Sequence, residues 1–256
     1  MPTVLVVGAT RGLGKSILDK YAAKPSTLVY GTARNDKPQN HANNVKWIGK
    51  VDLSTEDAGG KIVAQYEEDS PIDVVIITAG YFGTETFEKL DWEAQLKMYK
   101  TSAIGPVFLV QHLVHAGLLK KGSKIILVTS ESGSITLRHE QEGGGNYGHH
   151  ASKAAENMAG KLLSLDLKDK GIAVGLVHPG FMRTEMTAGV GFDKFWDEGG
   201  AVTPDVAAGS LVDWIEYFGI DKTGTYWAPR GPGDIGTAEP VLGPKEKLST
   251  PLQLPW

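Results

Sequence analysis

Short runs of apolar and β-branched residues recur along the chain at positions 4–7, 27–32, 45–50, 74–78, 124–129 and 173–178. Several are apolar throughout, the pattern of strands covered on both faces rather than the in–out alternation of a half-exposed sheet. Between them lie stretches with apolar residues at helical spacing, 15–23, 58–68, 92–119, 152–168 and 204–218. Alternation of this kind predicts an α/β fold in which a parallel, doubly wound sheet is flanked by helices on both faces. Thr225-Tyr226-Trp227 reads as a final edge strand. No linker interrupts the pattern, so residues 1–256 are expected to form a single domain.

Two segments break the rhythm. Residues 133–147 carry Gly143-Gly144-Gly145, and residues 184–203 are rich in glycine and in large apolar side chains, among them Met186, Phe192, Phe195 and Trp196. Both follow strand ends, where open α/β sheets bind ligands. The second is expected to act as a substrate lid. Composition narrows the choice of partner. Hydrophobic residues make up 41% of 256 residues, enough for a substantial core around a small-molecule site. A net charge of −4 with no basic run argues against nucleic acid. No window reaches the ~20 apolar residues needed to span a bilayer. The absence of cysteine fits a reducing compartment, and no secretory signal is evident, so a cytoplasmic protein is expected.

The first apolar run leads into Gly8-Ala9-Thr10-Arg11-Gly12-Leu13-Gly14, with a helix after it. Glycines allow a sharp turn and let phosphates approach the backbone, while the helix start offers unpaired N–H groups and partial positive charge. The second run ends Gly31-Thr32-Ala33-Arg34, without the acid that would bond a ribose 2′-hydroxyl and repel a 2′-phosphate. Arg34 and Arg11 instead offer guanidinium groups suited to phosphate, which favours NADP(H). No His or acid stands three or four residues from His149 or His150 in a way that favours a metal site, so no metal is expected.

The glycine spacing, Ser130-x-x-Gly133 after a strand, and Lys153-Ala154-Ala155 together resemble the short-chain dehydrogenase/reductase family, over nearly the whole chain. Asp52-Leu53, Thr78-Ala79-Gly80 and His178-Pro179-Gly180 followed by Thr184 fit the same pattern, and the closing Leu254-Pro255-Trp256 is similar to the C-factor and sniffer-like carbonyl reductase branch. The resemblance implies a Rossmann-type domain. It places the dinucleotide against Gly8, Thr10, Arg11, Gly12, Leu13, Gly14, Arg34, Asp52, Leu53, Ala79, Gly80, Lys153, Pro179, Gly180, Met182 and Thr184. It further implies a homodimer or homotetramer joined through the helices at 92–119 and 152–168.

In that family a tyrosine exchanges the proton of the substrate oxygen, a lysine lowers its pKa and holds the ribose, a serine orients the carbonyl and an asparagine supports a water relay. Ser130 and Lys153 match two of these positions; His149 stands at the tyrosine position and Ser102 at the asparagine position. Tyr147 is a poor substitute, because residues six apart on a helix differ by about 120° whereas residues four apart differ by about 40°. It remains open as a displaced acid or a pocket wall. A free imidazole titrates near ~6.5 against ~10 for a phenol, and a neighbouring ammonium disfavours its charged form. His149 therefore suits either an assisted carbonyl reduction or hydride addition to an already activated C=N carbon. His150 is expected to pack or cap. The leading expectation is an NADP(H)-dependent oxidoreductase with an apolar substrate, by analogy one of specialised metabolism. A cyclisation or isomerisation in the same pocket, and non-catalytic NADP(H) binding, stay open beside it.

Overall fold

The computed structural model describes residues 1–38 and 42–256. Its sheet has eight strands in the order β3-β2-β1-β4-β5-β6-β7-β8: Thr3–Val7, Leu28–Thr32, Val45–Ile48, Val74–Ile77, Lys124–Val128, Ala173–Val177, Thr225–Ala228 and Leu252–Gln253 for β1 to β8. All pair in parallel except β8, which runs antiparallel to β7. Every residue of β1, β2 and β6 is buried. Successive side chains serve opposite faces, so Leu5, Val7, Val75 and Ile77 join one core and Val4, Val6 and Ile76 the other.

Helices α1 (Gly12–Ala22), α2 (Ala58–Gln65), α3 (Trp92–Tyr99), α4 (Gly105–His115), α5 (Tyr147–Leu167), α6 (Glu185–Gly189), α7 (Pro204–Tyr217) and α8 (Ala238–Leu242) follow in chain order. Ile62 of α2, Leu109 and Leu113 of α4 and Leu163 and Leu167 of α5 cover the first core. Ile17 and Leu18 of α1 and Ala207 and Leu211 of α7 cover the second. Strand order changes direction between β1 and β4, which opens a crevice at the carboxyl ends of the strands.

Three expectations are corrected. The strand at Thr225–Ala228 is not the edge, because Leu252–Gln253 pairs outside it and Trp256 stacks on Tyr226, ring centroids 5.7 Å apart. A two-residue strand offers no periodicity to find. The helix expected over 92–119 is broken by a π-helical turn at Lys100–Ile104 and ends at His115. Pro106 cannot donate to the carbonyl four residues back, and the Gly105 N–H reaches Lys100, one residue further, instead. The helix expected from 152 starts at Tyr147. Its first turn is held from a distance: the Gly148 N–H donates to the Glu85 carboxylate at 2.8 Å, and Asn146 exchanges hydrogen bonds with the Glu85 backbone.

Candidate active site

The crevice holds one continuous cleft of about 950 Å³, near the upper end of the range for small-molecule sites. At one end stands the glycine turn. Gly8 (φ +90°) and Gly12 (φ +53°) adopt left-handed backbone, and Gly14 packs so closely that an added Cβ would lie 2.2 Å from the Gly8 carbonyl oxygen. Thr78 fixes this turn from β4 by donating to the carbonyls of Val7 and Gly8 at 2.9 and 3.2 Å, while Thr32 accepts from the Gly8 N–H at 2.9 Å. The start of α1 has no side-chain cap and no acid in its first turn, which leaves its N–H groups facing the cleft.

Around the turn the wall is formed by Thr10, Arg11, Leu13, Arg34, Asp52 and Leu53. Burial works against ionisation of Asp52, but the Ser54 N–H and hydroxyl outweigh it and, with the charge of Arg34, hold the carboxyl below its ordinary range. Arg11 pairs with Glu185 of α6 at 2.7 Å, an exposed contact across the mouth of the cleft. Ala79, Gly80, Pro179, Gly180, Met182 and Thr184 complete the middle of the wall.

The other end is aromatic. Phe195 meets Phe192 edge-on, Phe192 meets Phe82, and Phe82 lies against His149 with ring centroids 4.3 Å apart. Residues 184–203 thus reach the start of α5. They are braced by the Thr184–Thr187 capping box and by the indole N–H of Trp196 donating to Thr187. Ser130, Glu131, His149, His150 and Lys153 line this chamber.

Among the described residues, the cleft wall includes Thr101 but not Ser102 or Tyr147. Ser102 is buried in the π-helical turn with its hydroxyl unpartnered, and Tyr147, first residue of α5, is exposed. His149 is half-buried, and its pKa is lowered to about 3, first by desolvation and then by the charges of Lys153 and His150. It stays neutral at any physiological pH. Burial likewise lowers His150, with Arg138 adding to it.

Two carboxylates escaped the sequence reading. Lys153 Nζ donates to the Val128 carbonyl at 3.0 Å and to Glu156 Oε2 at 2.6 Å, and both partners of this pair are buried. Burial raises Glu156 to about 7 against the pull of Lys153. Glu131 accepts from the hydroxyls of Ser130 and Ser132, each at 3.0 Å, and its own N–H donates to His178 Nδ1 at 3.1 Å. Burial opposes ionisation of Glu131, yet His178 and the two hydroxyls outweigh it and hold the carboxyl low. Glu156 carries a legible signal, an acid three residues after Lys153 on the inward face of α5. Glu131 directly follows Ser130, and nothing in its spacing marks the side chain as inward.

Residues 2–194 match the short chain dehydrogenase family. The chain belongs to that family. A 1-hydroxy-2-glutathionyl-2-methyl-3-butene dehydrogenase from Rhodococcus sp. (strain AD45) is 28% identical over 227 residues, 88% of this chain and 96% of that one. The NADPH-bound carbonyl reductase from chicken fatty liver superposes with a TM-score of 0.77 at 21% identity, over 90% of this chain and 92% of its own. The carbonyl reductase Sniffer of D. melanogaster gives 0.76 at 23% identity with both chains fully covered. These two structures share the fold. Among the described residues, no helix is long and apolar enough to cross a membrane, and no cluster of three potential metal-ligating side chains occurs.

Proposed function

We propose that this chain is an NADP(H)-dependent oxidoreductase that moves hydride between nicotinamide and the carbon of a C=O or C=N bond in an apolar small molecule. One observation carries the proposal: a single cleft joins an uncapped glycine turn, flanked by Arg34 and Arg11, to an aromatic chamber holding Ser130, His149 and Lys153. The residues fit a dinucleotide. The N-terminus of α1 with Gly12 and Gly14 would hold the pyrophosphate, Arg34 the 2′-phosphate, and Asp52 and Leu53 the adenine side. Lys153 would meet the nicotinamide ribose with the one N–H that Val128 and Glu156 leave free. Pro179, Gly180, Met182 and Thr184 would border the nicotinamide. When bound, the dinucleotide supplies or accepts a hydride. The NADPH-bound relative and the dehydrogenase from Rhodococcus support this choice of cofactor and chemistry.

Ser130 and His149 face the space left for substrate, and Phe82, Phe192, Phe195 and Met186 exclude water from it. Residues 184–203 act as the lid. Exposed Phe108 on α4 and Met158, Leu162 and Leu165 on α5 form an apolar face, which we assign to a homodimer. The deciding experiment is fluorescence titration with NADPH and NADH for the wild type and for Arg34→Ala. The substitution is expected to weaken NADPH at least about tenfold and NADH less than about twofold, since one charge-assisted phosphate contact is lost. Equal effects on both nucleotides overturn the cofactor assignment. Product formation without loss of nicotinamide absorbance overturns the redox assignment in favour of cyclisation or isomerisation.

A further inference from the structure

The donors and cations of the chamber are already engaged with carboxylates rather than aimed at an oxyanion. Reduction of a carbonyl builds negative charge on oxygen, which a site stabilises with aimed donors and cations and then quenches with a proton. Here the Ser130 hydroxyl hydrogen is directed at Glu131 Oε2, and the Ser130 oxygen already accepts from the Ser132 N–H at 3.2 Å. Of the cations nearest His149, Lys153 pairs with the buried Glu156 carboxyl at 2.6 Å and Arg138 with Glu142 at 2.8 Å. The imidazole of His149 is packed on Phe82, and its Nδ1 is buried without a partner. Three potential donors are thus spent, paired or neutral, while Glu131 belongs to the cleft wall with its carboxylate on the Ser130 hydroxyl. The rings of Phe82, Phe192 and Phe195 form an apolar wall of the kind that attracts a cation to its π faces.

We propose that the site selects a substrate whose reacting carbon already carries positive charge, an iminium, with Glu131 as the specificity-determining residue. This rests on the hydride-transfer function proposed above and narrows it from carbonyl or C=N to the cationic C=N class. The chemistry balances without a proton. One C–H bond forms from the hydride, the π pair of C=N⁺ passes to nitrogen as its lone pair, and the dihydronicotinamide is oxidised to nicotinamide. The reaction that supplies the substrate must generate an iminium, by condensation of an amine with a carbonyl or by oxidation of an amine.

The test compares two bicyclic probes of equal size, the cation 2-methyl-3,4-dihydroisoquinolinium and the neutral ketone 1-tetralone. Their dissociation constants are measured by calorimetry on protein saturated with NADP+, and their rates by NADPH consumption. The cation is expected to bind at least about tenfold more tightly, the effect of a carboxylate and aromatic faces acting out of water. Glu131→Gln, which keeps the shape but not the charge, should abolish the preference, and Glu131→Asp should restore part of it. Equal affinities, a preference for the ketone, no binding of the cation up to millimolar concentration, or a preference untouched by Glu131→Gln each overturn the inference. Should the Gln variant fail to fold, as read by its thermal melt, the wild-type ratio decides alone. A wild type that does not bind NADPH sinks the proposed function and this inference with it. Binding of NADPH with equal probe affinities sinks this inference only.

Discussion

Acidification should reveal two desolvated groups on α5 that oppose one another. His149 is lowered from an ordinary 6.5 to about 3 by burial and by the Lys153 and His150 charges, so the fold prefers the neutral ring. The unfolded chain therefore binds more protons between these values, and this contribution to stability is lost as pH falls from 6.5 toward 3. Glu156 is raised from 4.5 to about 7 by burial, so the folded chain binds more protons there, and stability rises as pH falls from 7 toward 4.5. Between pH 7 and 5, linkage assigns about 2 kcal/mol of loss to His149 and about 2 kcal/mol of gain to Glu156. The wild type hides both. His149→Phe keeps a ring against Phe82 and removes the loss, so it should gain about 2 kcal/mol relative to wild type on moving from pH 7 to 5. Glu156→Gln should lose about 2 kcal/mol over the same interval. Urea denaturation of the three proteins at pH 7, 6 and 5 measures this directly, because other titrating groups contribute equally to all three. Parallel pH responses would refute a neutral imidazole and a buried carboxyl on this helix.

Two further outcomes test the dinucleotide end. Gly14→Ala forces a Cβ to within 2.2 Å of the Gly8 carbonyl and 2.6 Å of Thr78 Oγ1, whereas Gly189→Ala meets nothing within 4 Å. The first should cost about 3 kcal/mol, a fall of roughly 6–12 °C in thermal melting, and abolish NADPH binding; the second should do neither. Similar melts for both variants would show that the turn yields where the close approach says it cannot. Glu185→Gln releases Arg11 from its exposed partner and removes a negative charge at the mouth of the cleft. NADPH affinity should rise about two- to fivefold at low salt, with the gain fading as salt screens it. An unchanged or weaker dissociation constant at low salt would mean that Arg11 does not meet the nucleotide.

Much of this fold was legible because its signals are local. The apolar runs of β1, β2 and β6 fall within one residue of their expected bounds, since burial on both faces leaves no polar position to blur them. The glycine turn, Arg34, Asp52 and Pro179–Gly180 line one cleft because each stands at the carboxyl end of a parallel strand, a place set by topology. What escaped depends on partners far away in sequence. Tyr147 begins α5 because the Glu85 carboxylate takes the Gly148 N–H from sixty-three residues upstream. Ser102, matched by position alone, is drawn off the cleft wall in the turn that Pro106 forces out of α-helical register. Lys153, singled out by spacing, lines the cleft, but its charge could not be judged without Glu156.

That last point links the unusual residues of α5 to one another. A lysine beside a phenol is useful as a cation, because its field lowers the pKa of the phenol. With an imidazole at position 149 the same field would only drive the ring further from protonation. A carboxylate on the inward face at Glu156 cancels that field in part while it fixes the ammonium against the Val128 carbonyl. On the proposed function, Lys153 would then act chiefly through its position, as a donor held toward the cleft. A buried pair of this kind is seldom stabilising in itself, since desolvation offsets most of the attraction, and removing one partner strands the other. The pair stands beside a neutral His149 and a Glu131 held in its ionised form, so little free positive charge faces position 149. His149→Tyr alone should therefore give only weak proton donation to a ketone, because Glu156 offsets part of the field with which the ammonium would lower the phenol's pKa. Joint His149→Tyr and Glu156→Leu should strengthen it. The comparison is the ratio of kcat/KM for 1-tetralone between the double and single variants, expected to exceed about tenfold, one pKa step of phenol activation. A ratio near one would show that Glu156 does not mask Lys153.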